Sequence, residues 1–177
     1  GELPVLVHTL RVFQQCPDIA EIIVVTREDL MVEVGSICQD FALTKVRKVI
    51  KGGKERIHSV QAGLSEVRED AELIAIHDGA RPLLPPEVLE EVLHRAVQTG
   101  AAAPAVPITD TVKRSENGLA VETVDRSTLF AVQTPQVFQA ALIRAAVQKA
   151  LEDGEVLTDD CAAVERLGMK VSLTRGS

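Results

Sequence analysis

The sequence predicts an α/β fold in which a mostly parallel sheet is covered by helices on both faces. Short apolar runs rich in β-branched residues, such as Ile22–Thr26, alternate with longer stretches whose apolar positions recur at helical spacing. Short connections separate consecutive runs, an arrangement typical of parallel strands joined by right-handed helical crossovers. With 177 residues the chain can bury one substantial core, so we expect residues 1–177 to form a single domain.

The first part of the chain alternates helices and strands without interruption. Pro17 stops the first helix, and Lys51-Gly52-Gly53-Lys54 ends the second strand. Pro85-Pro86-Glu87 opens a helix, because proline in the first turn loses no hydrogen bond and an early acid suits the helix dipole. The predicted elements are helix 5–13, strand 21–26, helix 29–41, strand 46–50, helix 54–67, strand 73–76, helix 85–100 and strand 101–106.

A polar segment after Pro107 predicts a β-hairpin. Asn117-Gly118 is a strong signal for a two-residue turn, and residues 111–114 and 119–123 would form the two arms. An isolated hairpin is marginal in water, so this one should pack either on a partner subunit or on its own domain. The final part returns to the α/β pattern, with helices at 139–152 and 158–167 and a last strand at 170–174.

Composition excludes several classes of function. Four Phe with no Trp or Tyr argue against base-stacking platforms, and a net charge of −7 argues against a nucleic-acid partner. A small anion can still be held by local cations and backbone N–H groups. Cys16, Cys38 and Cys161 lack metal-ligand spacing and predict reduced thiols in a cytoplasmic protein. No apolar run approaches the roughly 18 residues of a membrane span.

The two ends of the chain differ from those of a nucleotide-binding α/β domain. Such a domain normally begins with a strand and a glycine-rich turn, whereas this chain begins with a helix. It contains no GxGxxG or GxxxxGK[ST] motif, which disfavours a dinucleotide-dependent oxidoreductase. The last residues, Thr174-Arg175-Gly176-Ser177, follow a strand with no helix after it. We therefore expect both termini to be incomplete.

The segment from Ile74 to Pro82 carries the strongest indication of a site. A buried strand ends in Asp78-Gly79-Ala80-Arg81, at the position where open α/β sheets bind ligands. The carboxylate of Asp78 can hold a metal ion or a sugar hydroxyl, and Gly79 allows close approach of a ligand. Arg81 offers a fork of donors to phosphate or carboxylate. The alternative is a strand-end turn in which Asp78 and Arg81 only pair with each other.

Three further segments carry residues suited to binding phosphates or a base. Gly52-Gly53 precedes a helix that contains Ser59, although paired glycines at a helix start are often only a tight turn. Thr111, at the base of the hairpin, offers a hydroxyl, unless it belongs to a solvated turn. Arg126 and Thr134 are chemically suited to phosphate, although singly each suits a surface or structural role.

Together these segments resemble the sugar-phosphate cytidylyltransferases, and within them the family that acts on 2-C-methyl-D-erythritol 4-phosphate. The resemblance extends from Pro4 to Gly176. Its motifs are Gly52-Gly53-x-x-Arg56-x-x-Ser59-Val60, His77-Asp78-Gly79-Ala80-Arg81-Pro82, Asp110-Thr111-Val112-Lys113, Thr123-Val124-Asp125-Arg126, Gln133-Thr134-Pro135-Gln136-x-Phe138 and Thr158-Asp159-Asp160. Six motifs in order at compatible spacing make the resemblance very specific.

The resemblance implies a Rossmann-like fold with a protruding β-hairpin arm at about residues 109–126. It also implies a homodimer whose arms interlock, with CTP as substrate and Mg²⁺ as cofactor. The residues implied to bind CTP are Gly52, Gly53, Ser59, Gly79 and Ala80. The residues implied to take part in catalysis are Asp78 and Arg81, with Asp78 also as a metal ligand. The residues implied to contact the acceptor are Thr111, Arg126 and Thr134, the first two reaching the substrate held by the other subunit.

The reaction implied is nucleotidyl transfer. A phosphate oxygen of the acceptor attacks the α-phosphorus of CTP, and pyrophosphate leaves. Because the nucleophile is already anionic, the reaction needs positioning and charge stabilisation rather than a general base. The family's N-terminal glycine-rich loop, with its Arg and Lys, and a later Lys have no counterpart here, which agrees with incomplete termini.

Two alternatives stay open at the level of the sequence. Ribitol 5-phosphate cytidylyltransferases share most of these motifs, and the residue types at Thr111, Arg126 and Thr134 do not separate the two acceptors. A non-catalytic nucleotide-binding relative that lacks the phosphate loop is the alternative from another class.

Overall fold

A computed structural model of the chain describes residues 3–177. The helices are α1 Val5–Gln15, α2 Met31–Asp40, α3 Arg56–Glu66, α4 Pro86–Thr99, α5 Ala140–Glu152 and α6 Asp160–Arg166. The strands are β1 Ile22–Thr26, β2 Val46–Lys51, β3 Leu73–Ile76, β4 Ala101–Pro107, β5 Val112–Glu116, β6 Leu119–Val124, β7 Phe130–Val132, β8 Gln136–Gln139 and β9 Ser172–Arg175. Short 3₁₀ turns occupy Glu28–Leu30 and Arg126–Thr128. Every helix and strand predicted from the sequence is present.

The strands form a central layer in which β4 is the most heavily paired. One edge of β4 pairs antiparallel with β8 and then β7, and the other edge pairs parallel with β9. On its far side β8 pairs antiparallel with β3. Because β3 and β4 both oppose β8, they run in the same direction. β1 and β2 form a separate parallel pair.

Hydrogen bonds around α3 give the direction of β1 relative to β3. Near the start of α3, the Gly52 N–H donates to the carbonyl of Thr26 at the end of β1. Beyond its last turn, the Arg68 N–H donates to Glu21, which precedes β1. α3 therefore runs back along β1, from the end of that strand to its start. Because α3 leads into the start of β3, the two strands start on the same side of the layer and run in the same direction. β1, β2, β3, β4 and β9 therefore share one direction, and the prediction of an α/β fold with a mostly parallel sheet is confirmed.

Helices cover both faces of the layer, and β4 shows why. Side chains alternate between the two faces of a strand. Ala101 and Ala103 belong to a core cluster with α5 and α6, whereas Ala102 belongs to a second cluster with α1 and α4. A third cluster packs α1 and α2 against β1 and β2. The small side chains of β4 let helices approach the sheet closely on either side.

The sequence did not predict β7 and β8. β8 begins directly after Thr134-Pro135 and carries Gln at both ends, so it lacks the alternating apolar pattern of a strand. These two strands are the ones that run against the direction of the other five. Their backbone groups nevertheless complete the hydrogen bonding of β3 and β4, which explains why the chain is extended here.

The predicted hairpin is formed by β5 and β6. Asn117 and Gly118 both have positive φ, at 49° and 80°, as a tight hairpin turn between right-handed twisted strands requires. Most of its residues are exposed. Within residues 3–177, no helix is both long and apolar enough to cross a membrane.

Candidate active site

The turn formed by Gly52 and Gly53 lies against the first turn of α3. The Gly53 N–H donates to Ser59 Oγ at 3.1 Å. A Cβ at Gly53 would overlap the side chain of His58, and one at Gly52 would lie 2.6 Å from Ser59 Oγ. Glycine is therefore needed here for close packing, and the turn and Ser59 form one unit. The structure thus brings together three of the residues that the sequence predicts to bind a nucleotide.

The loop after β3 is held by hydrogen bonds from three directions. The Arg81 N–H donates to the carbonyl of Asp78 at 3.0 Å, which closes a turn. The Asp78 N–H donates to Thr134 Oγ1 at 3.3 Å, and Thr9 Oγ1 of α1 donates to the carbonyl of Gly79 at 2.7 Å. Within residues 3–177 no side-chain ion pair joins Asp78 to Arg81. The side chains of this loop are thus exposed and face outwards, while its backbone is anchored.

His77 and Thr134 form the support of this loop. Their side chains are 2.9 Å apart, between Nδ1 and Oγ1, and His77 Nε2 lies 3.1 Å from the carbonyl of Arg81. Because the Arg81 carbonyl can only accept, Nε2 carries the proton and donates to it. In the neutral ring Nδ1 then accepts from the Thr134 hydroxyl, whose oxygen accepts from the Asp78 N–H. Burial lowers the pKa of His77, which favours this neutral form. Both ring nitrogens of His77 are therefore engaged in holding the loop, which gives this residue a structural role.

A cavity runs between β1 and β3 along the full length of both strands, with α1 and α3 over it. At the carboxyl ends of the two strands it is lined by Thr26, Arg56, Ser59, Asp78 and Gly79. Ser59, which accepts from the Gly53 N–H, and the loop residues Asp78 and Gly79 therefore line the same space. This end of the cavity is where an α/β sheet places its ligands.

An ion pair between the exposed Arg56 and the buried Asp160 lies beside this end of the cavity. Arg56 donates two hydrogen bonds to the carboxylate of Asp160, from Nη1 at 2.8 Å and from Nη2 at 2.7 Å. The hydrogen bond to Asp160 raises the pKa of Arg56, and the charges of Asp78 and Asp159 act in the same sense. The sequence motifs contain Arg56 and Asp160, but no role was predicted for either residue. Their spacing in the motifs was the signal, but which residues they would contact was not readable from it.

The remaining predicted residues lie elsewhere. Thr111 precedes β5, and Arg126 follows β6, so both are at the base of the hairpin. Both are exposed, and neither lines the cavity between β1 and β3. Thr134, in contrast, is only 6% exposed, and its hydroxyl is shared between Asp78 and His77. Of the residues predicted for the acceptor, the structure thus places Thr134 against the Asp78 loop and leaves Thr111 and Arg126 at the hairpin.

No group of three His, Cys, Asp or Glu within the described residues could hold a metal ion. The three cysteines are free and buried. Burial raises the pKa of Cys161 strongly, and neighbouring carboxylates add to the effect, so this thiol is not a nucleophile at neutral pH. What the site offers is exposed backbone, hydroxyls and one carboxylate, which suits ligand positioning rather than covalent catalysis.

Comparison with known proteins adds sequence relatives over the whole chain. The family model described as IspD, 2-C-methyl-D-erythritol 4-phosphate cytidylyltransferase, matches residues 1–177. A protein of that name from Halalkalibacterium halodurans is 41% identical over all of this chain, which spans 77% of its length. One from Caldanaerobacter subterraneus subsp. tengcongensis is 45% identical over 98% of this chain, again spanning 77% of the relative.

Solved structures agree with the sequence relatives. The 4-diphosphocytidyl-2C-methyl-D-erythritol synthase of Anaerococcus prevotii superposes with a TM-score of 0.90 at 28% identity, over 100% of this chain and 78% of the other. The 2-C-methyl-D-erythritol 4-phosphate cytidylyltransferase of Thermus thermophilus superposes with a TM-score of 0.86 at 32% identity, over 100% and 81% of the two chains.

Proposed function

Because this chain belongs to the 2-C-methyl-D-erythritol 4-phosphate cytidylyltransferase family, we infer that it joins CTP to that sugar phosphate, giving CDP-methylerythritol and pyrophosphate. It is a nucleotidyltransferase of isoprenoid precursor synthesis. The observation that carries this inference is that Ser59, which binds the Gly53 amide of one turn, and Asp78 and Gly79 of the loop after β3 line one end of the same cavity. Two backbone turns facing one space suit a flat base and a ribose triphosphate.

The chemistry follows from the charges of the reactants. An oxygen of the acceptor phosphate forms a bond to the α-phosphorus of CTP while the bond from that phosphorus to the bridging oxygen breaks. The electron pair leaves with pyrophosphate. No proton has to be removed from the nucleophile, which agrees with a site where His77 is partly buried, has a lowered pKa and is already hydrogen-bonded.

Residue roles within the site are part of the proposal. Gly52, Gly53 and Ser59 would hold the base, and Gly79 and Ala80 would pass the backbone close to the ribose and α-phosphate. Arg81 would support the loop and contribute positive charge. Thr134, whose hydroxyl holds the Asp78 backbone, would act on the acceptor by fixing that loop.

Mg²⁺ fits this set of groups through Asp78. Its carboxylate is exposed at the cavity end, and a hard oxygen ligand is what Mg²⁺ takes, with water and substrate phosphates completing the shell. A single protein carboxylate is sufficient for such a site, in keeping with the lack of a three-residue cluster within residues 3–177. When bound, the ion would neutralise charge on the triphosphate.

We also propose a homodimer formed through the hairpin. Leu119 and Val121 of β6 are 71% and 52% exposed, and Phe130 and Val132 of β7 are exposed too. Exposed apolar side chains on the hairpin suit an interface with a second copy. A second copy would also bring Thr111 and Arg126, which one chain leaves away from the cavity, to an acceptor. In this proposal residues 1–177 form one cytoplasmic domain, with an arm at about residues 109–126.

The test is Mg²⁺-dependent release of pyrophosphate from CTP by the full-length gene product. Methylerythritol phosphate and ribitol 5-phosphate are offered in separate reactions. Release with methylerythritol phosphate alone is the expected result. Release with ribitol phosphate alone would reassign the acceptor, and release with neither would favour a non-catalytic nucleotide-binding protein.

A further inference from the structure

The carboxylate of Asp160 is buried at the start of α6. Its side chain is 5% exposed, and both oxygens accept from Arg56 at the start of α3. A carboxylate removed from water is costly unless it is paired and fully hydrogen-bonded. The Arg56–Asp160 pair therefore joins two helix starts that lie 104 residues apart in the sequence.

Gln136 ties the same helix start to the sheet. Its Nε2 donates to Asp159 Oδ2 at 3.0 Å, and its Oε1 accepts from the Cys161 N–H at 3.0 Å. The other oxygen of Asp159 caps α6 by accepting from the Ala162 N–H at 2.9 Å. Gln136 is 2% exposed, so these bonds are formed away from water. The start of α6 is thus held to β8 on one side and to α3 on the other.

Both anchors lie beside the two halves of the proposed site. Arg56 shares the first turns of α3 with Ser59, whose hydroxyl accepts from Gly53. Gln136 follows Thr134, whose hydroxyl accepts from Asp78. A route of hydrogen bonds joined by short stretches of backbone therefore runs from the turn that would hold the base to the loop that would hold the α-phosphate.

We propose that Arg56, Asp160 and Gln136 form a clamp that sets the position of the Gly53 turn relative to the Asp78 loop. They are positioning residues, and the proposal rests on the proposed function for what the site binds. In-line transfer is sensitive to distance, since a misplacement of about 1 Å can cost on the order of 100-fold in rate. The clamp would act on alignment of the two substrates and hence mainly on kcat.

The test compares substitutions of two aspartates in the full-length gene product, one at the start of α6 and one that follows α5 and pairs with the end of α6. Asp160→Asn removes the charge of the clamp and keeps its size. Asp153→Asn is the matched control, because Asp153 pairs with Arg166 near the end of the same helix. Hydrogen exchange is measured at the amides of Gly53 and Asp78, each bonded to a side-chain hydroxyl. We expect both to exchange about tenfold faster in Asp160→Asn and to be unchanged in Asp153→Asn.

Kinetics supply the second measurement. Asp160→Asn should lower kcat about tenfold or more while the KM for CTP changes by less than about threefold. If Asp160→Asn does not fold, Arg56→Lys keeps the positive charge with a single donor group and should move both measurements in the same direction by less.

The outcomes separate the clamp from the reaction. Faster exchange confined to α6, with Gly53 and Asp78 unchanged, would overturn the clamp whatever the activity. If the unsubstituted protein releases no pyrophosphate with either acceptor, the proposed function fails. The exchange data then still decide whether the clamp couples the two loops.

Discussion

The lack of a side chain at Gly53 is what allows its turn to lie against α3. A Cβ at this position would overlap His58, whose neighbour Ser59 binds the Gly53 amide. We expect Gly53→Ala to lower the free energy of unfolding by about 1–3 kcal/mol through overpacking. It should also raise the KM for CTP, because the turn must move away from Ser59. Denaturant unfolding and initial rates at varied CTP concentrations measure the two effects.

Gly35→Ala provides the matched control. Gly35 lies within α2, and nothing lies within 4 Å of the Cβ that alanine would add there. Removing a glycine from a helix interior should raise the free energy of unfolding by about 0.5–1 kcal/mol and leave the KM for CTP unchanged. Equal effects from both substitutions would contradict the packing argument for Gly53.

At the scale of single residues, the sequence indicated the site but not its supports. The placement of Gly53 and Asp78 in turns after strands could be predicted from their residue types, while their roles in ligand binding stay predictions. Thr9 could not, because its bond to the carbonyl of Gly79 crosses 70 residues and depends on where α1 packs. Asp160 was missed for the same reason, since an acid at a helix start usually needs no partner beyond the helix itself.

At the scale of elements, regular patterns were readable and irregular ones were not. The helices could be predicted because their apolar positions repeat at helical spacing over several turns. β8 could not, because its four residues begin at a buried Gln that is hydrogen-bonded to α6 rather than at an apolar residue. Its strand conformation comes from pairing with β3 and β4, which is tertiary information.

The hairpin allows a test of assembly at this scale. The double substitution Leu119→Lys and Val121→Lys places charge on the exposed apolar side chains of β6. Charge on the interface should convert dimers to monomers, because desolvating lysine there is costly. Sedimentation velocity would then show about half the mass.

Val32→Lys is the control, since Val32 is an exposed apolar residue on α2, away from the hairpin. A dimer that survives the double substitution, or dissociates equally with Val32→Lys, would refute the hairpin interface.

At the scale of the molecule, the helices on both faces of the sheet could be predicted from the sequence, whereas the cavity between β1 and β3 could not. Alternation of helices and strands requires crossovers, and crossovers place helices on both faces. The cavity between β1 and β3 depends on which strands pair, and pairing is fixed by long-range contacts that no local pattern records.

Alkaline unfolding of the whole protein should depend on Cys161. Burial raises the pKa of this thiol above its ordinary value of 9.0, so the folded state keeps the proton after the unfolded state has lost it. The unfolded state then binds fewer protons, and the free energy of unfolding falls as pH rises above about 9. Cys161→Ala removes this contribution, although the smaller side chain lowers stability at neutral pH.

The wild-type and Cys161→Ala stabilities should therefore converge between about pH 8 and pH 10.5. Denaturant titrations at several pH values measure the difference between the two free energies of unfolding. The other titrating groups are the same in both proteins, so their contributions cancel in this difference. A constant difference across this range would show that Cys161 titrates normally in the folded state.

The turn at Asn117-Gly118 is also a site where asparagine deamidation can occur over time. An asparagine side chain is most open to attack by the next backbone nitrogen when glycine follows it, and this turn is exposed. The succinimide formed with loss of ammonia hydrolyses largely to isoaspartate, which inserts a methylene group into the backbone. In a hairpin whose register depends on a two-residue turn, that insertion shifts one arm against the other. Where the arm holds two copies together, ageing of one side chain would then appear as loss of assembly.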